Sequence, residues 1–229
     1  ILASLAFGIP LQFDKCYTEG ISRIEPQDVA YAEEFGYRIK HLGVTRRTDK
    51  GIELRVHPTL IPERRLIANV DGVMNAVLVQ GDAVGPTLYY GAGAGSLPTA
   101  SAVVADVIDV ARTLTTDPGN RVPHLAFQPG ELSNRSVAAM DDVETAYYLR
   151  MTAVDRPGVV AAVAGILGDA GISIEAMQQK QPLEGETEVP LVMLTHNVLE
   201  RQMNKAIEKI EALDVIRAGV TRIRVESLS

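Results

Sequence analysis

A run of alternating glycines is the feature of this sequence best suited to bind a ligand. Gly91, Gly93 and Gly95 alternate with small residues in the segment YGAGAGSLPTASAVVADV, where a predicted strand leads into a predicted helix. Glycine permits a sharp turn and a close approach of the backbone to another group. Ser96 is a typical N-cap residue, and the free N–H groups of the first helical turn favour an anion or a dipole. The segment therefore predicts a ligand-binding surface made of backbone.

The glycine run matches neither of the common phosphate-binding fingerprints. The Gly-Lys-Ser/Thr ending of the P-loop is missing, and Ser96 stands at the third glycine of the dinucleotide pattern. The acidic residue that binds a ribose after a second strand is also missing, because Asp109 belongs to the same predicted helix. From the pattern alone, ligand contact and a tight turn packed on a neighbouring segment are equally good interpretations.

Size and composition favour two small domains and exclude several classes of partner. The 229 residues are 46% hydrophobic, which is enough for two hydrophobic cores. A net charge of -7, with no basic cluster and no Trp, argues against nucleic acid and acidic membrane surfaces as partners. Cys16 is the single cysteine, which rules out an internal disulfide and favours a reducing compartment, so we expect a cytoplasmic protein. The uncharged run over residues 1–13 is too short to span a bilayer.

The first part of the chain opens with two predicted helices. Apolar residues at helical spacing predict a helix over residues 1–7, and the pair Glu25-Pro26 predicts the start of a second helix that ends near Phe35. The first of these helices has no initiator Met and no cap, so we expect a further segment upstream of Ile1.

A hairpin is predicted over residues 37–57. After a turn at residues 49–51, apolar residues alternate with Glu53, Arg55 and His57, which is typical of a strand with one solvent-facing side. Shorter strands are expected at residues 66–69, 76–80 and 87–90. The helix after the glycine run carries an apolar stripe, formed by Leu97, Ala100, Val103, Val104, Val107, Ile108, Ala111 and Leu114.

Residues 115–145 form a predicted connection, and residues 146–229 a second unit. The connection is rich in proline and glycine, with one short strand expected at residues 124–127. The second unit has the order strand, helix, strand, strand, helix, strand, which is typical of a ferredoxin-like βαββαβ fold. We therefore predict an α+β protein in which residues 1–114 form a mixed sheet covered by helices.

The second unit resembles the ACT domain, a small amino-acid-sensing fold of metabolic enzymes, in the segment RMTAVDRPGVVAAVAGILGDAGISIEAM. Asp155 is placed to cap the helix of this segment, Gly158 lets a ligand approach, and backbone N–H groups there can bind an amino acid's carboxylate. In that family the effector lies between the first-strand loop and a strand of a partner subunit. The effector-binding positions that the resemblance implies are Asp155, Gly158, Val159, Ile172, Ser173 and Ile174.

The whole chain resembles the carboxyl-terminal part of bacterial homoserine dehydrogenases. Four segments follow the family's order, namely ILASLAFG, TEGISRIEPQDVAYAEEFGYRIKHLG, VHPTLIP and GVMNAVLVQGDAVGPTLYYGAGAGSLPTASAVVADV. The resemblance implies an oxidoreductase that passes a hydride between NADPH or NADH and L-aspartate 4-semialdehyde, making L-homoserine for threonine, methionine and isoleucine biosynthesis. It also implies that Gly91, Gly93 and Gly95 contact the nicotinamide end of the cofactor, NADP or NAD.

The same resemblance places the family's catalytic groups ahead of the matched residues. The nucleotide-binding half, with an Asp and a Lys for substrate binding and proton transfer, precedes the residues that match Ile1 to Phe7. We therefore assign no catalytic residue and expect no useful turnover from this chain alone. The expected partners are the substrate, an amino-acid effector such as L-threonine, and further copies of the chain in a homodimer or homotetramer.

A free-standing amino-acid sensor is the alternative that the sequence leaves open. In that hypothesis the first unit has lost catalysis and only the ACT unit binds a ligand. No metal site is predicted, because the four histidines lack the spacing of metal ligands: His41, His57, His124 and His196.

Overall fold

The structure is a computed structural model of the chain and describes residues 1–117, 126–180 and 187–228. The helices are α1 (Leu2–Phe7), α2 (Pro26–Glu34), α3 (Ser96–Thr113), α4 (Val159–Asp169) and α5 (Glu200–Glu211). The strands are β1 (Tyr17–Thr18), β2 (Tyr37–Thr48), β3 (Gly51–Pro62), β4 (Met74–Gly81), β5 (Gly85–Ala92), β6 (Glu144–Val154), β7 (Ile174–Gln179), β8 (Glu188–Thr195), β9 (Val198–Leu199) and β10 (Thr221–Val225). The predicted α+β class is confirmed.

One mixed sheet contains strands from both predicted units. Its strand order is β1-β3-β10-β6-β8-β7, with β2 paired to β3 and β9 paired to β6. The order β10-β6-β8-β7, with every neighbouring pair antiparallel, is that of the expected ferredoxin-like fold. β10 also pairs in parallel with β3, where Arg224 lies opposite Thr59 and Val225 opposite Leu60. The sheet of the second unit therefore continues into that of the first.

Helices cover both faces of this sheet. On one face α4 and α5 enclose a core that includes Tyr147, Leu149 and Met193. On the other face, Tyr31 and Ala32 of α2 pack in a second core, together with Leu60, Tyr148, Val192, Leu194 and Ile223. Residues from both predicted units form this second core, so burial of apolar surface holds α2 against the ACT-like sheet.

The segment that precedes β6 runs along the first unit. Ser133 N–H donates to the Gly8 carbonyl over 2.7 Å, and Ile52 exchanges backbone hydrogen bonds with Ser136 and Ala138. Of the strand expected at residues 124–127, residues 124 and 125 lie outside the described residues, and residues 126 and 127 form a bend. The division of the chain at residues 114 and 146 stays a prediction.

Two local predictions in the first unit are wrong. Residues 66–69, expected as a strand, form a 3-10 helix. The predicted hairpin exists as β2 and β3, but its polar side does not face solvent, because Glu53, Arg55 and His57 are all buried. Other segments of the chain cover these side chains, since Glu226 pairs with Arg55 and the Tyr17 ring lies edge-on to the His57 ring at a centroid distance of 6.4 Å.

The hairpin of β4 and β5, together with α3, extends away from these cores. β4 and β5 pair only with each other among the described strands, and no residue of α3 is buried. The apolar stripe predicted for this helix is present but uncovered, since Val104 is 55% exposed and Val107 62% exposed. No helix in the described part of the chain is long and apolar enough to cross a membrane.

Candidate cofactor and effector sites

The glycine turn between β5 and α3 contains one glycine that packs closely against a neighbouring side chain. A Cβ atom on Gly93 would lie 1.5 Å from the Asn75 Nδ2 atom, and Gly93 N–H donates to the Val73 carbonyl over 2.9 Å. Gly91 differs, because a Cβ there would meet no atom of the described chain within 4 Å. Packing on a neighbour therefore accounts for Gly93, whereas the space beside Gly91 is open to a ligand.

Gly95 precedes the first residue of α3, so the prediction that Ser96 caps this helix is wrong. Gly95 is the N-cap with a φ of 123°, and no side-chain hydrogen bond caps the helix. Ser96 is instead the first helical residue, because Gly95 adopts a backbone conformation that other residues rarely reach. Gly91 thus lies at the end of β5, and Gly93 and Gly95 lie on the exposed turn that leads from it into α3.

The first-strand loop of the ACT-like unit joins the end of β6 to α4. Gly158 is the N-cap of α4, with a left-handed φ of 92°, and Val159 is the first helical residue. The prediction that Asp155 caps this helix is therefore wrong, since the helix begins beyond its reach and has no side-chain cap. Asp155 is exposed at the start of the loop, and its backbone N–H donates to the Thr187 carbonyl over 2.9 Å.

The six predicted effector-binding residues form two separate groups. Asp155, Gly158 and Val159 lie at the N-terminus of α4, whereas Ile172, Ser173 and Ile174 follow its other end. Eleven helical residues span about 16 Å at the standard rise, so one chain does not bring the groups together. Beside the first group is a cavity of about 20 Å³ that Arg156, Val159 and Gln179 help to line. It has room for a water molecule, not for an amino acid.

A buried arginine that the sequence analysis missed links β10 to β1 and α5. Arg224 is 1% exposed and donates from Nε to Glu200 Oε2 over 3.0 Å and from Nη1 to Glu19 Oε2 over 2.9 Å. Its Nη2 atom donates to the Tyr17 hydroxyl over 3.1 Å, and Tyr147 O–H donates to Glu200 over 2.7 Å. Burial opposes the charge of both groups, but their mutual hydrogen bonds raise the pKa of Arg224 and lower that of Glu200.

A second buried arginine lies in β3. Arg55 is 1% exposed and donates from Nη2 to Glu226 Oε1 over 2.5 Å and from Nε to Glu53 Oε2 over 3.3 Å. The Arg55 Nη1 atom is also 2.8 Å from His57 Nε2, so the neutral ring accepts this hydrogen bond. Burial and, to a lesser degree, the cations of Arg224 and Arg55 lower the pKa of His57 to about 4.

These two clusters place carboxylates and guanidinium groups at the junction of the two predicted units. A cavity of about 370 Å³ lies beside the second cluster, lined by Asp14, Lys15, Glu53, Arg55 and residues 137–140 among others. The paired charges connect segments of the two units. Within the described ranges, no group of three or more His, Cys, Asp or Glu side chains is placed to hold a metal ion.

Comparison with known proteins gives a consistent assignment for both units. Residues 1–108 match the homoserine dehydrogenase family model, and residues 147–215 match the ACT domain model. The chain is 62% identical over 229 residues to a homoserine dehydrogenase of Pseudomonas aeruginosa, covering 100% of this chain and 53% of that protein. It is 57% identical over 228 residues to one of Neisseria gonorrhoeae, covering 100% of this chain and 52% of that protein.

Solved structures agree with the sequence matches. The crystal structure of a homoserine dehydrogenase from Thiobacillus denitrificans matches with a TM-score of 0.92 and 63% identity, covering 100% of this chain and 51% of that one. A Staphylococcus aureus homoserine dehydrogenase at pH 7.0 matches with a TM-score of 0.65 and 24% identity, over 99% of this chain and 52% of that one, and shows the shared fold alone. The chain spans about half the length of the curated relatives that it matches.

Proposed function

Because this chain belongs to the homoserine dehydrogenase family, we propose that it supplies the substrate-side region and the regulatory ACT domain of an enzyme that reduces L-aspartate 4-semialdehyde to L-homoserine. The observation that carries this proposal is the match of the entire chain, in sequence and in fold, to homoserine dehydrogenases. The product feeds threonine, methionine and isoleucine biosynthesis, and feedback by an amino acid acts through the ACT domain.

The cofactor of the proposed reaction is NADP or NAD, whose nicotinamide supplies the hydride. The glycine turn fits such a ligand, since the space beside Gly91 is open and the turn is exposed at the start of α3. Gly91, Gly93 and Gly95 contact the nicotinamide end through their backbone, and a flat ring can lie close to a surface that has no side chains. No residue of this chain is assigned a catalytic role.

The effector of the proposed regulation is an amino acid, and threonine is the first candidate because it is a product of the pathway. Asp155, Gly158 and Val159 bind it from one chain and Ile172, Ser173 and Ile174 from another. The separation of these groups at the two ends of α4 supports such a shared site. The free edge of β7 supports it too, because it can pair with the same strand of a second chain in a homodimer or homotetramer.

Two exposed features support contacts with further parts of the assembly. α3 and the hairpin of β4 and β5 expose apolar side chains that no described residue covers. A lone two-stranded hairpin is only marginally stable in water, so we infer that another part of the whole protein, or a second copy, covers these faces. Reducing conditions suit the single free cysteine, which supports a cytoplasmic location.

A free-standing amino-acid sensor remains the second candidate, because none of the residues in this chain is assigned to catalysis. Isothermal titration calorimetry on the whole protein separates the two candidates. The dehydrogenase binds NADPH or NADH, and also binds threonine, whereas the sensor binds the amino acid alone. Substitution Asp155→Ala is the matched control, since it weakens amino-acid binding and leaves dinucleotide binding unchanged. Absence of heat with either dinucleotide contradicts the dehydrogenase proposal.

A further inference from the structure

Helix α2 is an element of the first unit that contacts both strands carrying the proposed effector residues. β6 leads into the loop with Asp155, and β7 begins at Ile174. The N-terminal end of α2 contacts β6 and its C-terminal end contacts the far end of β7. A change in the relative position of these two strands therefore acts on the two ends of one rigid helix.

The contact of α2 with β6 is buried and charged. Asp28 accepts hydrogen bonds from Arg150 Nε over 2.6 Å, from Arg150 Nη2 over 3.0 Å and from the Tyr148 hydroxyl over 2.9 Å. Asp28 has no exposed surface, and Arg150 is buried too. A buried pair of this kind is costly to break, because each charge is left without a partner away from water. This end of α2 is therefore fixed to β6.

The contact of α2 with β7 is exposed. Glu34, the last residue of α2, accepts a hydrogen bond from Gln178 Nε2 over 2.6 Å and pairs with the Lys180 ammonium group. The same ammonium group lies 4.7 Å from the centre of the Tyr31 ring. Exposed ion pairs contribute little to stability and exchange readily with water. This contact can therefore adjust as β7 moves, and a single substitution can remove it without unfolding either element.

We propose that α2 carries the effector signal from the ACT domain to residues 1–108, with Asp28 as the fixed anchor on β6 and Glu34 as the movable contact on β7. This inference rests on the proposed amino-acid binding at the ends of α4. An effector held by the β6 loop of one chain and the start of β7 of another shifts β7 relative to β6. The Glu34 end of α2 then moves with β7, because Gln178 and Lys180 hold it there, while the Asp28 end stays in place.

A tilt of α2 would move the neighbouring segments of the first unit directly. α2 ends at Glu34, and Gly36, whose carbonyl accepts a hydrogen bond from Glu63 N–H over 2.9 Å, leads at once into β2. At its other end α2 follows the segment in which Glu19 is bound by Arg224. The parallel pairing of β3 with β10 is a less suitable route, because β10 is at the opposite side of the ACT sheet from β7.

A charge-swap experiment on the whole protein tests this role of Glu34. The effector probe is L-threonine, and three quantities are measured for each variant: the basal rate of homoserine oxidation, the threonine Kd by calorimetry and the residual rate at saturating threonine. Glu34→Lys places two cations together and uncouples α2 from β7, so we expect the inhibition at saturating threonine to weaken about fivefold, with Kd and basal rate changed by less than about twofold. Adding Lys180→Glu restores an ion pair of reversed polarity and restores inhibition.

The neighbouring and exposed Glu33 provides the matched control, since Glu33→Lys makes the same charge change on the same helix. If Glu34→Lys is inhibited like the wild type at an unchanged Kd, α2 does not carry the signal, and the proposal is wrong while feedback itself stands. If the double variant stays uninhibited, the ion pair is not the movable contact. If the wild type oxidises homoserine but binds no threonine, the proposed feedback fails and the signalling role fails with it.

Discussion

Asp28 of α2 and Arg150 of β6 form a buried bidentate pair, although they are 122 positions apart in the sequence. The same carboxylate caps its own helix, since Asp28 Oδ2 accepts a hydrogen bond from Glu25 N–H over 2.8 Å. A single side chain therefore fixes the start of α2 and the position of that helix on the ACT sheet. The two units are joined by charge and by core packing, not by the connection between them alone.

Loss of the Asp28 charge is expected to destabilise the protein strongly. Asp28→Asn keeps the shape of the side chain but leaves the buried Arg150 guanidinium with only the 56% exposed Glu25 carboxylate, 3.3 Å from Nη2, as a counter-charge, which costs up to about 3 to 5 kcal/mol. Thermal unfolding should therefore begin well below the wild-type temperature, and limited proteolysis should cut in the region of α2. Asp169→Asn, at an exposed position on α4, is the control and should unfold like the wild type. Equal unfolding temperatures for both variants would show that the buried pair is dispensable.

The buried His57 is expected to make stability depend on pH. Its pKa of about 4 in the folded protein is below the value of 6.5 for the free side chain. Above pH 6.5 the ring is neutral in both states, so its contribution to stability is fully present there. As the pH falls through that value, His57 binds a proton in the unfolded chain but stays neutral in the folded chain. The free energy of unfolding should therefore fall by about 2 kcal/mol between about pH 7 and about pH 5.

Urea unfolding of two histidine variants distinguishes the contribution of His57 to this pH dependence from the contributions of other titratable groups. His57→Gln should show a smaller loss of stability over that pH interval, whatever its absolute stability. His196→Gln, which alters an exposed histidine, should keep the wild-type dependence. Carboxylates whose pKa is lowered on folding, Glu19 and Glu200 among them, lose their contribution only below their unfolded values near 4.5. Identical slopes for the wild type and His57→Gln would contradict the prediction.

Alanine substitutions of the glycines are expected to distinguish a glycine that contacts the cofactor from one that packs against its own chain. Gly91→Ala adds a methyl group where the described chain has no neighbour, so the fold should be unchanged and KM for NADP or NAD should rise about tenfold. Gly93→Ala instead displaces the Asn75 side chain, and Asn75→Ala in the same molecule should relieve that clash. Steady-state kinetics at varied cofactor concentration distinguish these cases. An unchanged KM for Gly91→Ala would remove this glycine from the proposed cofactor site.

Lysine substitutions in the apolar stripe of α3 are expected to have opposite effects in the isolated chain and in the whole protein. Val104→Lys and Val107→Lys place charge on a face that is exposed in this chain, so they should reduce aggregation of the isolated chain. In the whole protein they should instead lower the unfolding temperature, because burying an unpaired ammonium group is costly. Ala102→Lys, on the opposite face of the helix, should be tolerated in both contexts. An unchanged unfolding temperature of the whole protein would mean that this face stays uncovered.

Local elements of the fold could be predicted because their causes lie within a few residues. The capped start of α2 at Glu25, the alternation of apolar and polar residues in β3 and the turn that joins β2 to β3 are all local signals. The order of elements in the second unit then predicts its ferredoxin-like topology. The pairing of β3 with β10 has no local signal, since it brings together residues more than 160 positions apart.

Burial of the charged residues could not be predicted for the same reason. Alternation of apolar and polar residues in β3 is equally compatible with a solvated face and with a face buried against partners of opposite charge. Arg55 pairs with Glu226, and Arg224 pairs with Glu200. Other segments of the chain contribute these partners, so the sequence around each arginine does not reveal them. The candidate glycines could be placed in one segment from sequence, but only the structure separates Gly93, where a Cβ would displace the exposed Asn75 side chain, from the open position at Gly91.

The most direct measurement is the initial rate at which the whole protein reduces NADP, and in parallel NAD, in the presence of L-homoserine, repeated at rising concentrations of L-threonine. We predict formation of the reduced cofactor that depends on homoserine and falls as threonine is added. Absence of homoserine-dependent reduction with both cofactors, from a protein that is folded and binds threonine, would contradict the dehydrogenase assignment and support the amino-acid sensor.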